Sequence, residues 1–157
     1  MGRIEIEILI NAPIERCFDL SRSIDLHMKS AGETKERAVD GRTSGLIELG
    51  ETVTWEAIHF GVKQRLTAQI TKFQRPNHFQ DCQVKGVFKS FVHDHYFESV
   101  PGGTLMRDIF EFEAPFGFFG LLVEPIVKRH MEKFLLERNL VIKDVAESND
   151  FVLFLQT

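Results

Sequence analysis

Two alternating runs joined by a short turn constrain this chain more than any other feature. Phe91, His93, His95 and Phe97 alternate along the first run, Met106, Asp108, Phe110 and Phe112 along the second, with Val100-Pro101-Gly102-Gly103 between them. The pattern reads as a β-hairpin whose aromatic and ionisable groups share one face. A turn made of residues 100 to 103 sets His95 opposite Asp108, His93 opposite Phe110 and Phe97 opposite Met106. That face is mostly apolar with a buried His/Asp pair in it. Such a wall suits a pocket for a largely apolar ligand with a few orienting polar groups.

The hairpin belongs to a longer period-two region. Strands are expected over 34 to 40, 46 to 49, 51 to 60, 62 to 73, 78 to 86, 89 to 99 and 104 to 113, separated by Asp40-Gly41, Gly50, Gly61, Arg75-Pro76-Asn77, Gly86 and Pro101-Gly102-Gly103. Connections this short make successive strands antiparallel. Upstream, Ile4, Ile6, Ile8 and Ile10 alternate with charged residues in a half-buried strand. Asn11-Ala12-Pro13 then offers a cap and a first-turn proline for a short helix over 14 to 20, and Ser23 caps a second over 21 to 29. Downstream, Pro125 to about Glu147 repeats apolar residues at three- and four-residue steps, a helix of ~33 Å. The layout is α+β, one long C-terminal helix covering one face of a curved antiparallel sheet, with two short helices after the first strand.

A chain of 157 residues fits one domain able to bury roughly 70% of its unfolded surface. We expect a single domain over 1 to 149 followed by an apolar tail, 150 to 157, that frays, docks on the body or pairs with a second copy. Phenylalanine is unusually frequent, 15 against one Tyr and one Trp, which suits a dry core or the wall of an apolar pocket. A net charge of −4 argues against nucleic acid as a partner, since backbone binding needs a clustered basic surface. No apolar run is long enough to span a bilayer, and no signal-peptide pattern opens the chain. Cys17 and Cys82 make neither a disulfide framework nor a metal motif, as expected of a reduced, cytoplasmic protein.

Several strings resemble the START/polyketide-cyclase (SRPBCC) superfamily, whose helix-grip fold is shared with the major birch pollen allergen. They are Asn11-Ala12-Pro13 after the first strand, Val53-Thr54-Trp55-Glu56-Ala57 with His59-Phe60-Gly61, Phe91 to Phe97, and Gly103 to Met106 followed by Asp108. The resemblance spans about residues 3 to 146. It implies a cavity between sheet and long helix and, across the family, ligands such as lipids, sterols, polyketides or hormones, with a minority of members cyclising or dehydrating polyketides. It does not imply a single activity.

Parity and register nominate the pocket residues. Val53, Trp55, Ala57 and His59 share a face opposite Ala68, Leu66, Gln64 and Val62. Ligand-binding candidates are Trp55, His59 at a pocket mouth, Phe91, His93, Phe97, Met106, Phe110 and Phe112. On the long helix they are Met131, Phe134 and Arg138, the last either meeting a ligand carboxylate or snorkelling at the rim. Phe116 and Phe119 belong to a Gly-rich loop, 116 to 122, read as a hydrophobic gate, a static plug or a contact surface. His95 and Asp108 are the candidate catalytic pair, a general acid/base dyad or a satisfied polar pair that fixes the register. For a metal, two histidines and an aspartate lack an evident third strong ligand nearby, so none is expected. No phosphate cradle, nucleophile elbow or nucleotide motif is present, and no cofactor is expected. The expected function is binding of a small hydrophobic molecule. The alternatives are a cyclase or dehydratase using His95 and Asp108, and an interaction module, homodimeric through the Phe-Gly loop or the tail, that needs no ligand.

Overall fold

A computed structural model describes residues 1 to 155 of the chain. The opening isoleucine alternation forms β1 (Gly2–Ile10), followed by α1 (Ile14–Ser21) and α2 (Ile24–Ser30). Ser23 caps α2, its Oγ accepting from the Leu26 amide at 3.2 Å, which satisfies one donor at the helix start. Asn11 caps nothing with its side chain; Pro13 occupies the N-cap position of α1 without a side-chain bond, and the Asn11 amide donates to Glu147 instead.

The remaining strands are β2 (Arg37–Gly41), β3 (Thr52–His59), β4 (Val62–Gln74), β5 (His78–Lys85), β6 (Ser90–Val100) and β7 (Gly103–Glu113). They form one seven-stranded antiparallel sheet in the order β1-β7-β6-β5-β4-β3-β2. The expected registers are observed: His95 faces Asp108, His93 faces Phe110 and Phe97 faces Met106, while Trp55 faces Leu66 and His59 faces Val62. At the hairpin turn Gly102 takes φ 92°, a left-handed backbone that favours glycine. Gly103 is confined more tightly still, because a Cβ there would lie 2.1 Å from the Ile10 carbonyl oxygen.

Three expected elements differ. The strand expected over 34 to 40 begins only at Arg37, because Gly32–Thr34 forms a 3-10 turn and Lys35 takes a left-handed φ of 51°. Residues 46 to 49 are not a strand: Leu46 makes one isolated bridge to Ser23, and the Ile47 amide donates to the Arg22 carbonyl, so the segment docks on the short helices and not on a strand edge. The long helix, α3 (Phe118–Glu147), starts seven residues before Pro125 and runs through it. Phe116 (φ 76°) and Gly117 (φ 52°) reverse the chain just ahead of it. The proline removes one internal hydrogen bond, to the carbonyl of residue 121, where the side chains of Leu121 and Leu122 face solvent.

Two apolar clusters form the core. In one, Phe18 of α1 meets Phe73, Phe79 and Phe97 edge-on, each at 5.3 Å between ring centroids. The other joins Ile4, Phe91, Phe110 and Phe112 to Leu135 of α3. After a 3-10 turn at Asn149–Phe151, α4 (Val152–Leu155) follows. Phe151, Phe154 and Leu155 pack on the first cluster, so the described part of the tail docks on the body; residues 156 and 157 lie outside the described residues.

Candidate functional site

A cavity of about 530 Å3 lies between the sheet and α3, within the range of small-molecule sites. Its walls are largely apolar because β3 to β6 turn alternate residues inward, among them Val53, Ala57, Ala68, Ile70 and Phe91, while α3 contributes Met131, Phe134 and Leu135. Two groups of polar side chains interrupt this surface.

The first is built on β5, β6 and β7. Asp108, 1% exposed, receives both histidines of β6 on one carboxylate oxygen: His93 Nε2 at 3.0 Å and His95 Nδ1 at 2.9 Å. Its other oxygen accepts from Asn139 Nδ2 of α3 at 2.5 Å, and Arg138 Nη1 stands 3.8 Å from the oxygen that the histidines share. On the cavity side, His95 Nε2 lies 2.8 Å from Asp81 Oδ1, and His93 Nδ1 3.9 Å from the same atom. Phe79 stacks on the His95 ring at 4.1 Å. Burial alone would raise both aspartate pKa values. Hydrogen bonds from the histidines outweigh it, holding Asp81 below and Asp108 well below the usual carboxylate range. Burial pushes both histidines down, and for His93 the neighbouring His95 charge adds to it. For His95 the bonds to Asp108 and Asp81 reverse the direction and raise its pKa.

The second group sits where β3 meets α2 and α3. His27 stacks on Trp55 at 4.2 Å and contacts Glu36 at 2.7 Å, while His59 Nδ1 and His130 Nε2 are 2.8 Å apart. Phe134 places its edge against both His27 and His59. Burial lowers the pKa of His59, partly opposed by Glu36, and of His130, with Lys133 adding to the second.

Of the residues nominated from the sequence, Trp55, His59, Phe91, His93, His95, Phe116, Met131, Phe134 and Arg138 line the cavity. Asp108 stands behind the histidines. Arg138 is 4% exposed and does not snorkel: it donates to the Ser21 carbonyl and to Asn139. Five nominees do not line the cavity. Phe97 and Met106 point to the correct face, but α1 covers that stretch: Phe18 packs on Phe97, and Ser21 Oγ donates to Met106 Sδ. Phe110 and Phe112 are sealed under Phe88 in the second cluster. Phe119 belongs to the first turn of α3 and is 70% exposed, as are its neighbours Phe116 and Phe118 at 76% and 78%, so the 116 to 122 segment is not a plug. Sequence reasoning missed His27, Glu36 and His130 of the second group and, in the first, Asp81, which faces His93 across β5 and β6 and offers a third potential ligand beside the two histidines.

No family model and no curated protein sequence matches the chain. Solved structures do. A protein of Thermus thermophilus aligns over 99% of this chain and 100% of its own, with TM-score 0.76 at 18% identity. Major latex-like protein 151 of Panax ginseng aligns over 94% of this chain and 98% of its own, with TM-score 0.65 at 14% identity. The di-domain ARO/CYC StfQ from the steffimycin biosynthetic pathway aligns with TM-score 0.74 at 9% identity, over 94% of this chain and 51% of its own. At these identities the likeness establishes the fold, the helix grip: a curved antiparallel sheet around a long C-terminal helix.

Proposed function

From the helix-grip fold of the START/polyketide-cyclase superfamily, we propose that this chain binds a small, largely apolar molecule between sheet and α3, its polar end toward Asp81, His93 and His95. The observation that carries this reading is the cavity itself, about 530 Å3 of largely apolar wall with a compact polar group set into it. A core built only for stability would have filled such a volume, since interiors pack to crystal-like density and each void costs free energy. Phe60, Val87, Phe116 and Val123 line the cavity and are also exposed to solvent, which gives an apolar molecule a continuous apolar path inward. The test is native mass spectrometry with organic extraction of protein purified under mild conditions. An apolar molecule bound at one per chain supports the reading; a protein that carries none and takes up no apolar probe refutes it.

A second reading, acid/base catalysis on a bound carbonyl compound, draws support from the same polar group. Asp108 orients His95 through Nδ1 at 2.9 Å, and His95 Nε2 faces Asp81 on the cavity side, where a bound carbonyl compound would exchange a proton with it. His95→Ala and Asp108→Asn should then abolish turnover while ligand affinity stays within about tenfold; equal loss of both would reduce the pair to a recognition element. Confinement of the protein to the cytoplasm and its homodimerisation are further proposals of this account. Among the described residues no helix is long and apolar enough to cross a membrane.

A further inference from the structure

We infer that Asp81, His93 and His95 form a binding site for one divalent transition-metal ion, with Asp108 as the carboxylate that orients both imidazoles. Among the described residues this is the one group of three potential ligands whose donor atoms all lie within 4.8 Å of one another. Asp81 Oδ1 stands 2.8 Å from His95 Nε2 and 3.9 Å from His93 Nδ1. Metal bonds of roughly 2.1 Å place adjacent donors about 3.0 to 3.4 Å apart, a range that these two separations bracket.

The arrangement behind the ligands is the stronger argument. A metal-bound imidazole ordinarily donates its other N–H to a carboxylate, which fixes the tautomer and the ring orientation. Here one oxygen of Asp108 serves both rings, at His93 Nε2 and His95 Nδ1. An ionised carboxylate only accepts, so the Asp108 side of each ring carries a hydrogen, which leaves His93 Nδ1 and His95 Nε2 facing Asp81, where an ion would take the place of the hydrogen bond between His95 Nε2 and Asp81 Oδ1. Asn139 and Arg138 hold Asp108 in turn. Among the described residues the other His–carboxylate pairs, His27 with Glu36 and His78 with Asp94, have no such third ligand.

Two imidazoles and one carboxylate suit iron, zinc, cobalt or nickel better than the all-oxygen preference of magnesium or calcium. Three protein ligands leave coordination positions open toward the cavity, where water or an oxygen of the bound molecule fits. The site goes beyond ligand binding as proposed above and does not depend on it, because the ion is tested alone.

The experiment is titration of tag-free, EDTA-treated protein with Co2+, followed by visible absorbance and calorimetry. One equivalent is expected, and Asp81→Asn and His93→Gln, verified as folded by circular dichroism, should each weaken binding about 100-fold or more. Should either variant fail to fold, imidazole 15N spectra of the wild type with Zn2+ decide: the expected shifts fall on His93 Nδ1 and His95 Nε2. Absence of stoichiometric uptake, uptake undiminished in the folded variants, or shifts confined to His27, His59, His78 or His130 would overturn the site.

Discussion

Asn139 offers a direct measure of what the buried polar group contributes to the fold. It is fully buried on α3, donates to Asp108 Oδ2 at 2.5 Å and accepts from Arg138 Nη1 at 3.1 Å. Asn139→Leu keeps the side-chain size and helical preference while removing both bonds, so little new cavity confuses the result. A hydrogen bond to a charged partner contributes about 1.5 to 3 kcal/mol, and a buried donor left without one costs about 1 to 3 kcal/mol. Arg138 keeps its bond to the Ser21 carbonyl, and the leucine regains about 1 kcal/mol of apolar burial. The expected net loss is about 3 kcal/mol, or a melting temperature lower by roughly 6 to 12 °C at this chain length. Urea unfolding followed by the fluorescence of Trp55, the one tryptophan, measures it. The matched control is Leu136→Gln, 45% exposed one turn away, expected to shift stability by less than about 0.5 kcal/mol. An Asn139→Leu protein within about 0.5 kcal/mol of wild type would mean that Asp108 draws no stability from α3, and the reasoning would fail.

Other expectations concern separate parts of the molecule. Burial lowers the pKa of His59 and His130 in the fold, with Glu36 facing the first and Lys133 and Glu137 the second. Below the unfolded value near 6.5 the unfolded chain therefore takes up more protons at these groups, and their contribution is complete above that pH and lost as pH falls through it. His130→Gln should shrink the stability difference between about pH 7.5 and pH 5.5; a difference equal to or larger than that of wild type contradicts the assignment. Phe151 lies under the Arg16 guanidinium at 3.7 Å from the ring centroid, and Phe151→Ala should cost about 1 to 2 kcal/mol in urea unfolding, whereas an unaffected midpoint would mean that the tail does not hold to the body. Gly120 packs so closely that a Cβ would stand 2.5 Å from the Pro115 carbonyl oxygen; Gly120→Val should destabilise by about 1 to 3 kcal/mol, and a neutral result would place the start of α3 elsewhere.

The registers of β6 with β7 and of β3 with β4 were legible because short turns with positive-φ residues, Gly102 in one and Phe60-Gly61 in the other, leave the ladder one way to close. Asp81 was hidden by the opposite circumstance. Strands ending at 86 and 89 put its pairing one residue out of step with His93, and a one-residue slip sends a side chain to the other face. The ladder in fact closes at Cys82 with Val92, so the connection spans residues 83 to 91, and its odd length brings Asp81 opposite His93. Period two also reports which face a residue takes and not what covers it. Phe97 and Met106 carry the same inward signal as His93 and His95, and only the packing of α1 separates core from cavity. The early start of α3 was obscured because Gly117, Gly120 and Pro125 are weak helix formers in isolation; its first turns also lack a buried apolar stripe, Phe118, Phe119, Leu121 and Leu122 all facing solvent.

The central claim is that an apolar molecule occupies the space between sheet and α3. Titration with 1-anilinonaphthalene-8-sulfonate, read by energy transfer from Trp55, tests it on three proteins: the wild type, Ala68→Phe, and a Phe118→Ser/Phe119→Ser double variant. Ala68 is 3% exposed and lines the cavity, whereas Phe118 and Phe119 are 78% and 70% exposed outside it. The account predicts one saturable site in the wild type and the double variant, weakened at least about tenfold, or ~1.4 kcal/mol, in Ala68→Phe. Binding retained in Ala68→Phe and lost in the double variant would place the apolar site on the surface and contradict the account.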